Sequence, residues 1–163
     1  SLEHHDIWAV CIGACTPVDG QPAAPAAFFN GQHHSREPES TAALLYFVQH
    51  LLTRYEDDDP EAVALLRTRQ LWVVPLVNPD GYNYNAERHP NGGGMVRKNR
   101  RLGGSCGASQ QGVDLNRNYP VCSEFEDESS RLRGASNNPC QEDYRGPSPF
   151  SEPEVQAMRD FLE

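Results

Sequence analysis

Two donor types that zinc favours stand three residues apart in the segment Gly31-Gln-His-His-Ser-Arg-Glu37. His34 offers an imidazole nitrogen and Glu37 a carboxylate oxygen, and catalytic zinc sites often join such donors with a third. The same H-x-x-E spacing also arises in polar loops that bind nothing. His33, next to His34, reads as a structural or surface residue. A second group, Arg97-Lys-Asn-Arg-Arg101, concentrates positive charge in an acidic chain. It reads either as a solvated loop that balances local charge, or as the source of an arginine that steadies an oxyanion. A third segment, Gly112-Val-Asp-Leu-Asn-Arg-Asn-Tyr119, sets the Asn116 amide beside the Arg117 guanidinium. A guanidinium fork fits a carboxylate in two places, and the amide adds a donor.

These groups must be held by regular structure, and the pattern alternates strands and helices. Ile7–Ile12, Ala26–Asn30 and Leu71–Val77 read as strands, with 17–25 as a loop or hairpin connection. Thr41–Tyr55 reads as an amphipathic helix whose Leu44, Leu45, Val48, Leu51 and Leu52 recur at helical spacing. Glu56–Asp59 reads as a solvated acidic loop. Asp59-Pro60 supplies an N-cap and a first-turn proline for a short helix, Glu61–Thr68. Asn78-Pro-Asp-Gly81 reads as a turn, followed by an irregular stretch over 83–112. Residues 120–150 read as loop, with an acidic patch at 124–128. Ser151-Glu-Pro-Glu154 reads as a capping box opening a last helix, with Val155, Met158, Phe161 and Leu162 on its apolar face. The expected architecture is α/β, a mixed β-sheet flanked by helices as an α/β/α sandwich.

At 163 residues the chain is long enough for one domain with a sizeable core. Its 14 Lys+Arg against 23 Asp+Glu give a net charge of −9, which argues against nucleic acid or an anionic membrane surface as the main partner. No apolar run approaches the roughly 18 residues of a membrane span. Five cysteines include no C-x2-C pair, so a structural zinc ribbon is not expected. The odd count leaves at least one thiol free, or with its partner outside this stretch, and C-x3-C at Cys11 and Cys15 is only a weak pairing pattern.

The segments taken in order carry a resemblance. H-S-R-E, N-P-D-G-Y, R-K-N-R, G-V-D-L-N-R-N-Y and S-E-x-E together resemble the zinc metallocarboxypeptidases of the pancreatic carboxypeptidase A/B type, from the start of the chain to its end. The resemblance implies a zinc-dependent exopeptidase that hydrolyses the last peptide bond of peptides and proteins. It implies Zn2+ as cofactor, with His34 and Glu37 as two of its three protein ligands. Arg100 would polarise the scissile carbonyl, standing between the metal and the carboxylate grip. Arg97 would serve a neighbouring subsite and Arg36 an outer one. Asn116 and Arg117, placed at a strand end, would grip the free C-terminal carboxylate. Cys106 and Cys140 sit where the family closes a loop with a disulfide, which implies a secreted, luminal or vacuolar setting.

The resemblance also implies that residues 1–163 are a partial catalytic domain. The family's first helix and strand would precede Ser1. The third ligand, general-base glutamate and mobile tyrosine would follow Glu163, so another chain or segment would complete the domain. Val96 stands where the family often has an aromatic residue, and 89–94 resembles an extra loop. The alternative is a catalytically inactive carboxypeptidase-like module used for binding or structure.

Overall fold

A computed structural model describes residues 1–16, 19, 23–103, 106–120 and 134–163. Cys122 and the acidic patch at 124–128 therefore lie outside the described residues, as does most of the 17–25 connection. The chain divides into two compact units, one of residues 8–31 and 39–76, the other of 1–7, 32–38 and 77–163.

The first unit carries a three-stranded sheet: β1 (Val10–Gly13), β2 (Ala26–Asn30) and β3 (Gln70–Val74), in the order β1-β3-β2. β3 pairs antiparallel with β1, Cys11 opposite Trp72, and parallel with β2, Phe28 opposite Trp72. The sheet is thus mixed, as the pattern implied. The strands are shorter than the apolar runs, because 7–9 and 75–77 make no ladder bonds. Helix α1 (Pro38–Glu56) turns Leu51 and the flanking Phe47 and Val48 inward. They join Ile12, Leu66 and Leu71 in one cluster, each fully buried side chain contributing about 1.5–3 kcal/mol. Leu45 and Leu52, expected on the apolar face, are exposed instead, since the inward stripe follows 44, 47, 48 and 51.

Helix α2 (Pro60–Thr68) begins where the sequence places it. Asp59 Oδ1 accepts from the Glu61 and Ala62 amides, both at 3.0 Å. Arg54 donates to its other oxygen at 2.8 Å, so the acidic stretch is partly paired rather than wholly solvated. Cys11 and Cys15 form a disulfide, Cα atoms 6.1 Å apart.

In the second unit, Asn78-Pro-Asp-Gly81 is not an isolated turn. It opens helix α3 (Pro79–Arg88), because Asn78 Oδ1 accepts the Gly81 amide at 3.0 Å and Pro79 fits the first helical position. Gly81 allows close approach: a Cβ there would lie 2.6 Å from Ser35 Oγ and 2.8 Å from the Lys98 carbonyl oxygen. The helix α4 (Pro153–Leu162) lacks the capping box. Glu152 occupies the N-cap without a side-chain cap bond. Ser151 Oγ donates to Glu152 Oε1 at 2.6 Å, and Glu154 turns inward to accept from the Asn99 amide at 3.3 Å. Burial of both glutamates decides this, since a carboxylate taken from water goes to the best donors within reach. Val155 and Met158 are buried as expected, while Phe161 and Leu162 are exposed.

Candidate metal and carboxylate-binding site

All the residues singled out for chemistry fall within the second unit. The turn that carries His34 and Glu37 is fixed by backbone and side-chain bonds to its neighbours. Asn78 donates from its backbone to Gln32 O at 3.1 Å and from its side chain to His33 O at 3.1 Å. Buried Ser35 donates its hydroxyl to Val96 O at 2.6 Å and its amide to Arg97 O at 3.0 Å. Asn85 of α3 grips Val96 at both backbone groups, at 2.9 and 3.1 Å. The H-S-R-E turn and the start of R-K-N-R are therefore one rigid piece.

On that piece His34 Nδ1 and Glu37 Oε2 converge to 2.9 Å. Two donors this far apart can each stand about 2.0–2.2 Å from a shared zinc ion. The other imidazole nitrogen, Nε2, lies 3.1 Å from Oδ1 of Asp114, whose side chain is wholly buried. A carboxylate behind a histidine fixes its tautomer and ring orientation in metal sites. The donor set fits zinc, and His34 and Glu37 are the atoms that would hold it.

Asp114 does more than orient His34. Its Oδ2 accepts from Arg97 Nε at 3.0 Å and Nη2 at 2.8 Å. Its Oδ1 accepts the Asn116 amide at 3.0 Å, capping a 3-10 turn at Leu115–Arg117. Burial would raise the Asp114 carboxyl, but the His34 hydrogen bond and the Arg97 charge outweigh it and hold it below the usual carboxylate range. One buried carboxylate thus ties together the imidazole, a guanidinium and the Asn116-Arg117 backbone.

Arg97 and Arg100 stand in different surroundings. With Nε and Nη2 held by Asp114, Arg97 Nη1 stands 3.6 Å from Glu37 Oε1. The Arg100 guanidinium packs over the Tyr84 ring, 3.7 Å from its centroid, and its Nε and Nη1 are buried without a hydrogen-bond partner among the described residues. The basic segment is not a solvated loop either, because Lys98, Asn99 and Arg100 are all buried.

Asn116 and Arg117 lie in the 3-10 turn rather than at a strand end, since the Asp114 cap closes that turn. Arg117 donates to Gly134 O at 2.7 Å from Nε and to Asn116 O at 3.1 Å from Nη1. Arg36 forms a two-point pair with Glu142 at 3.2 and 3.0 Å. Cys106 and Cys140 are disulfide-bonded, Cα atoms 5.3 Å apart, closing the loop that holds Asp114 and Arg117. His33 is neither free nor superficial. Its Nε2 lies 2.8 Å from the Tyr119 hydroxyl, and burial, with the neighbouring His34, lowers its pKa to about 4.

Asp114, Ser35 and Glu142 were not singled out in the sequence. Only Asp114 carried a hint, as the one acid in G-V-D-L-N-R.

The family description "Zinc carboxypeptidase" matches residues 1–163. The chain belongs to the zinc carboxypeptidase family. It is 36% identical over 140 residues to carboxypeptidase A2 of Mus musculus, covering 85% of this chain and 30% of that protein. A metallocarboxypeptidase A-like protein of Trichophyton verrucosum is 36% identical over 139 residues, covering 85% and 28%. The crystal structure of thrombin activatable fibrinolysis inhibitor superposes with a TM-score of 0.78 at 32% identity, over 98% of this chain and 36% of that one. The chain thus spans about a third of the length of these relatives. Family membership supports a peptidase function and implies zinc, and the incomplete α/β fold agrees with the structural likeness. Among the described residues no helix is long and apolar enough to cross a membrane.

Proposed function

We propose that this chain is the first part of the catalytic domain of a zinc-dependent exopeptidase that removes the C-terminal residue of peptides and proteins. One observation carries the reading. His34, Glu37, Arg97 and the Asn116-Arg117 turn are joined through the single buried carboxylate of Asp114. An exopeptidase must measure the distance from a terminal carboxylate to one peptide bond, so its metal and its anion clamp need one rigid frame.

In this reading His34 and Glu37 hold zinc, with a third ligand supplied by chain beyond residue 163. When bound, the zinc polarises the scissile carbonyl and activates water. Asp114 keeps the His34 ring turned so that Nδ1 faces the metal. Arg100 is the oxyanion donor, because its Nε and Nη1 are buried with no hydrogen-bond partner among the described residues. Tyr84 steadies the face of that guanidinium, while Arg97, held by Asp114, serves the neighbouring subsite. Arg117 and Asn116 bind the terminal carboxylate, and Arg36 lies on the side of the preceding residues. The two disulfides favour an oxidising compartment, so a secreted or luminal protein.

The catalytically silent alternative is disfavoured by the presence of both zinc donors with their supporting carboxylate. The deciding assay compares free-acid and C-terminally amidated peptides on the completed enzyme and on Arg117→Ala. Loss of a buried charge-assisted partner typically costs about 2–5 kcal/mol, so free-acid turnover should fall by a factor of 30 or more, taking about 1.4 kcal/mol per tenfold. Amide turnover, already poor, should barely move. Equal losses for both substrates would remove the carboxylate-reading role and with it the exopeptidase assignment.

A further inference from the structure

The two adjacent histidines of the metal-bearing turn reach opposite ends of one short segment. His34 Nε2 meets Asp114 Oδ1 at 3.1 Å, just before the 3-10 turn Leu115–Arg117. His33 Nε2 meets the Tyr119 hydroxyl at 2.8 Å, just beyond that turn. Asn116 and Arg117 therefore hang between two attachments to the turn that carries the zinc donors.

Tyr119 is itself held from behind. Its ring meets the Phe150 ring edge-on, centroids 6.2 Å apart. Phe150 donates its amide to Asn118 O at 2.9 Å and its carbonyl accepts from Gln156 Nε2 of α4 at 2.7 Å. Wholly buried Asn118 donates from its side chain to Arg145 O at 2.8 Å and Ser148 O at 3.0 Å. The far end of the 3-10 turn is thus anchored, and the Tyr119 hydroxyl ties that anchor to His33. The direction of this bond is set by the phenol. Burial pushes Tyr119 up to about 12, so it keeps its hydrogen and donates, and His33 Nε2 accepts. Tyr119→Phe therefore deletes the bond and keeps the ring.

We infer that His33 and Tyr119 are positioning residues that, together with His34 and Asp114, fix the spacing between the metal pair and the carboxylate-binding turn by holding that turn at both ends. The inference rests on the exopeptidase reading, in which this spacing selects the bond to be cut. Held at Asp114 alone, the turn could pivot about one end, and the second tie removes that freedom. The stake is large, because a misplacement of about 1 Å can cost on the order of 100-fold in rate.

The test uses the completed enzyme and paired free-acid peptides. One ends in an α-residue that the enzyme accepts, the other in its β-homologue, whose extra methylene moves the carboxylate away from the scissile bond. The wild type should favour the α-peptide strongly. Tyr119→Phe should lower kcat/KM for the α-peptide about two- to ten-fold, mostly in kcat, the range of one neutral hydrogen bond. The β-peptide should lose less, so the α/β ratio should shrink. That ratio does not depend on the fraction of folded enzyme, so it separates positioning from lost stability. His33→Phe should shrink it likewise, and the double variant should do little more than either single change. Bound zinc should match the wild type in Tyr119→Phe, since Asp114 still backs His34. Equal losses for the two peptides, or losses that simply add in the double variant, overturn the inference. A wild type that handles free-acid and amidated peptides alike would instead remove the exopeptidase reading, and this inference with it.

Discussion

Asp114 is the residue on which the site turns, because three groups share its two oxygens. Replacing it by Asn keeps the shape but gives Arg97 and His34 a neutral partner with only one acceptor oxygen. Loss of such a supporting carboxylate typically costs 10- to 100-fold in metal affinity or activity. We expect Asp114→Asn in the completed enzyme to lose zinc affinity in that range, read by competition with a chelating dye. Unchanged affinity would show that His34 is oriented by something else. Glu154 is the opposite kind of acid. Burial raises its pKa, with the Asn99 amide and the Leu2 N–H only partly compensating. The folded state therefore keeps the proton that the unfolded chain gives up above its ordinary value. Stability is lost as pH climbs from that value towards the raised one. Glu154→Gln should remove this slope, leaving the variant at least as stable as the wild type at neutral pH and less favoured near pH 4. A urea midpoint lowered by the same amount at both pH values would refute this account.

At the scale of elements, the loop closed by Cys106 and Cys140 matters most, because it carries Asp114 and Arg117 together. In the chain-entropy account, closing a loop of this length contributes roughly 3–4 kcal/mol. A double Cys106→Ser, Cys140→Ser variant should therefore unfold at clearly lower denaturant, and it should also bind C-terminal peptides more weakly. Weaker stability with unchanged peptide affinity would mean that Lys98 and the Asn99–Val113 backbone bond hold the loop without the disulfide. Elements with a local cause were legible in advance. Asp59-Pro60 caps α2 from within its own first turn, and the H-S-R-E donors meet because they stand three positions apart in one turn. Elements decided by distant partners were not. Nothing within Asn78-Pro-Asp-Gly81 reveals the pocket against Ser35 that lets it open α3, and Ser151-Glu-Pro-Glu154 has the letters of a capping box whose carboxylate goes instead to Asn99.

On the scale of the whole molecule, the open matter is how much of the metal site residues 1–163 make alone. They bring His34 and Glu37 to 2.9 Å and back the imidazole with Asp114. Catalytic zinc sites take three protein ligands, and two leave half of a four-coordinate sphere to water. The chain also matches under a third of the length of its curated relatives. Zinc that binds only the folded form stabilises it by RT ln(1 + [L]/Kd), about 2.7 kcal/mol when the metal stands at 100 times Kd and almost nothing when it stands below Kd. The two forms should therefore separate in a thermal melt. Residues 1–163 alone should unfold at the same temperature with micromolar zinc or with a chelator. The completed enzyme should lose several degrees when its zinc is removed, and zinc should restore them where magnesium, which prefers oxygen ligands, does not. The histidine variant His34→Ala should abolish the restoration, and its chelated form should melt somewhat below the chelated wild type, because buried Asp114 loses a hydrogen-bond partner. A chelator-sensitive melt in residues 1–163 by themselves would mean that a third donor lies within this chain. The Glu3, His5 and Asp80 side chains, whose ligand atoms lie within 4.8 Å of one another, would be the first place to look by substitution.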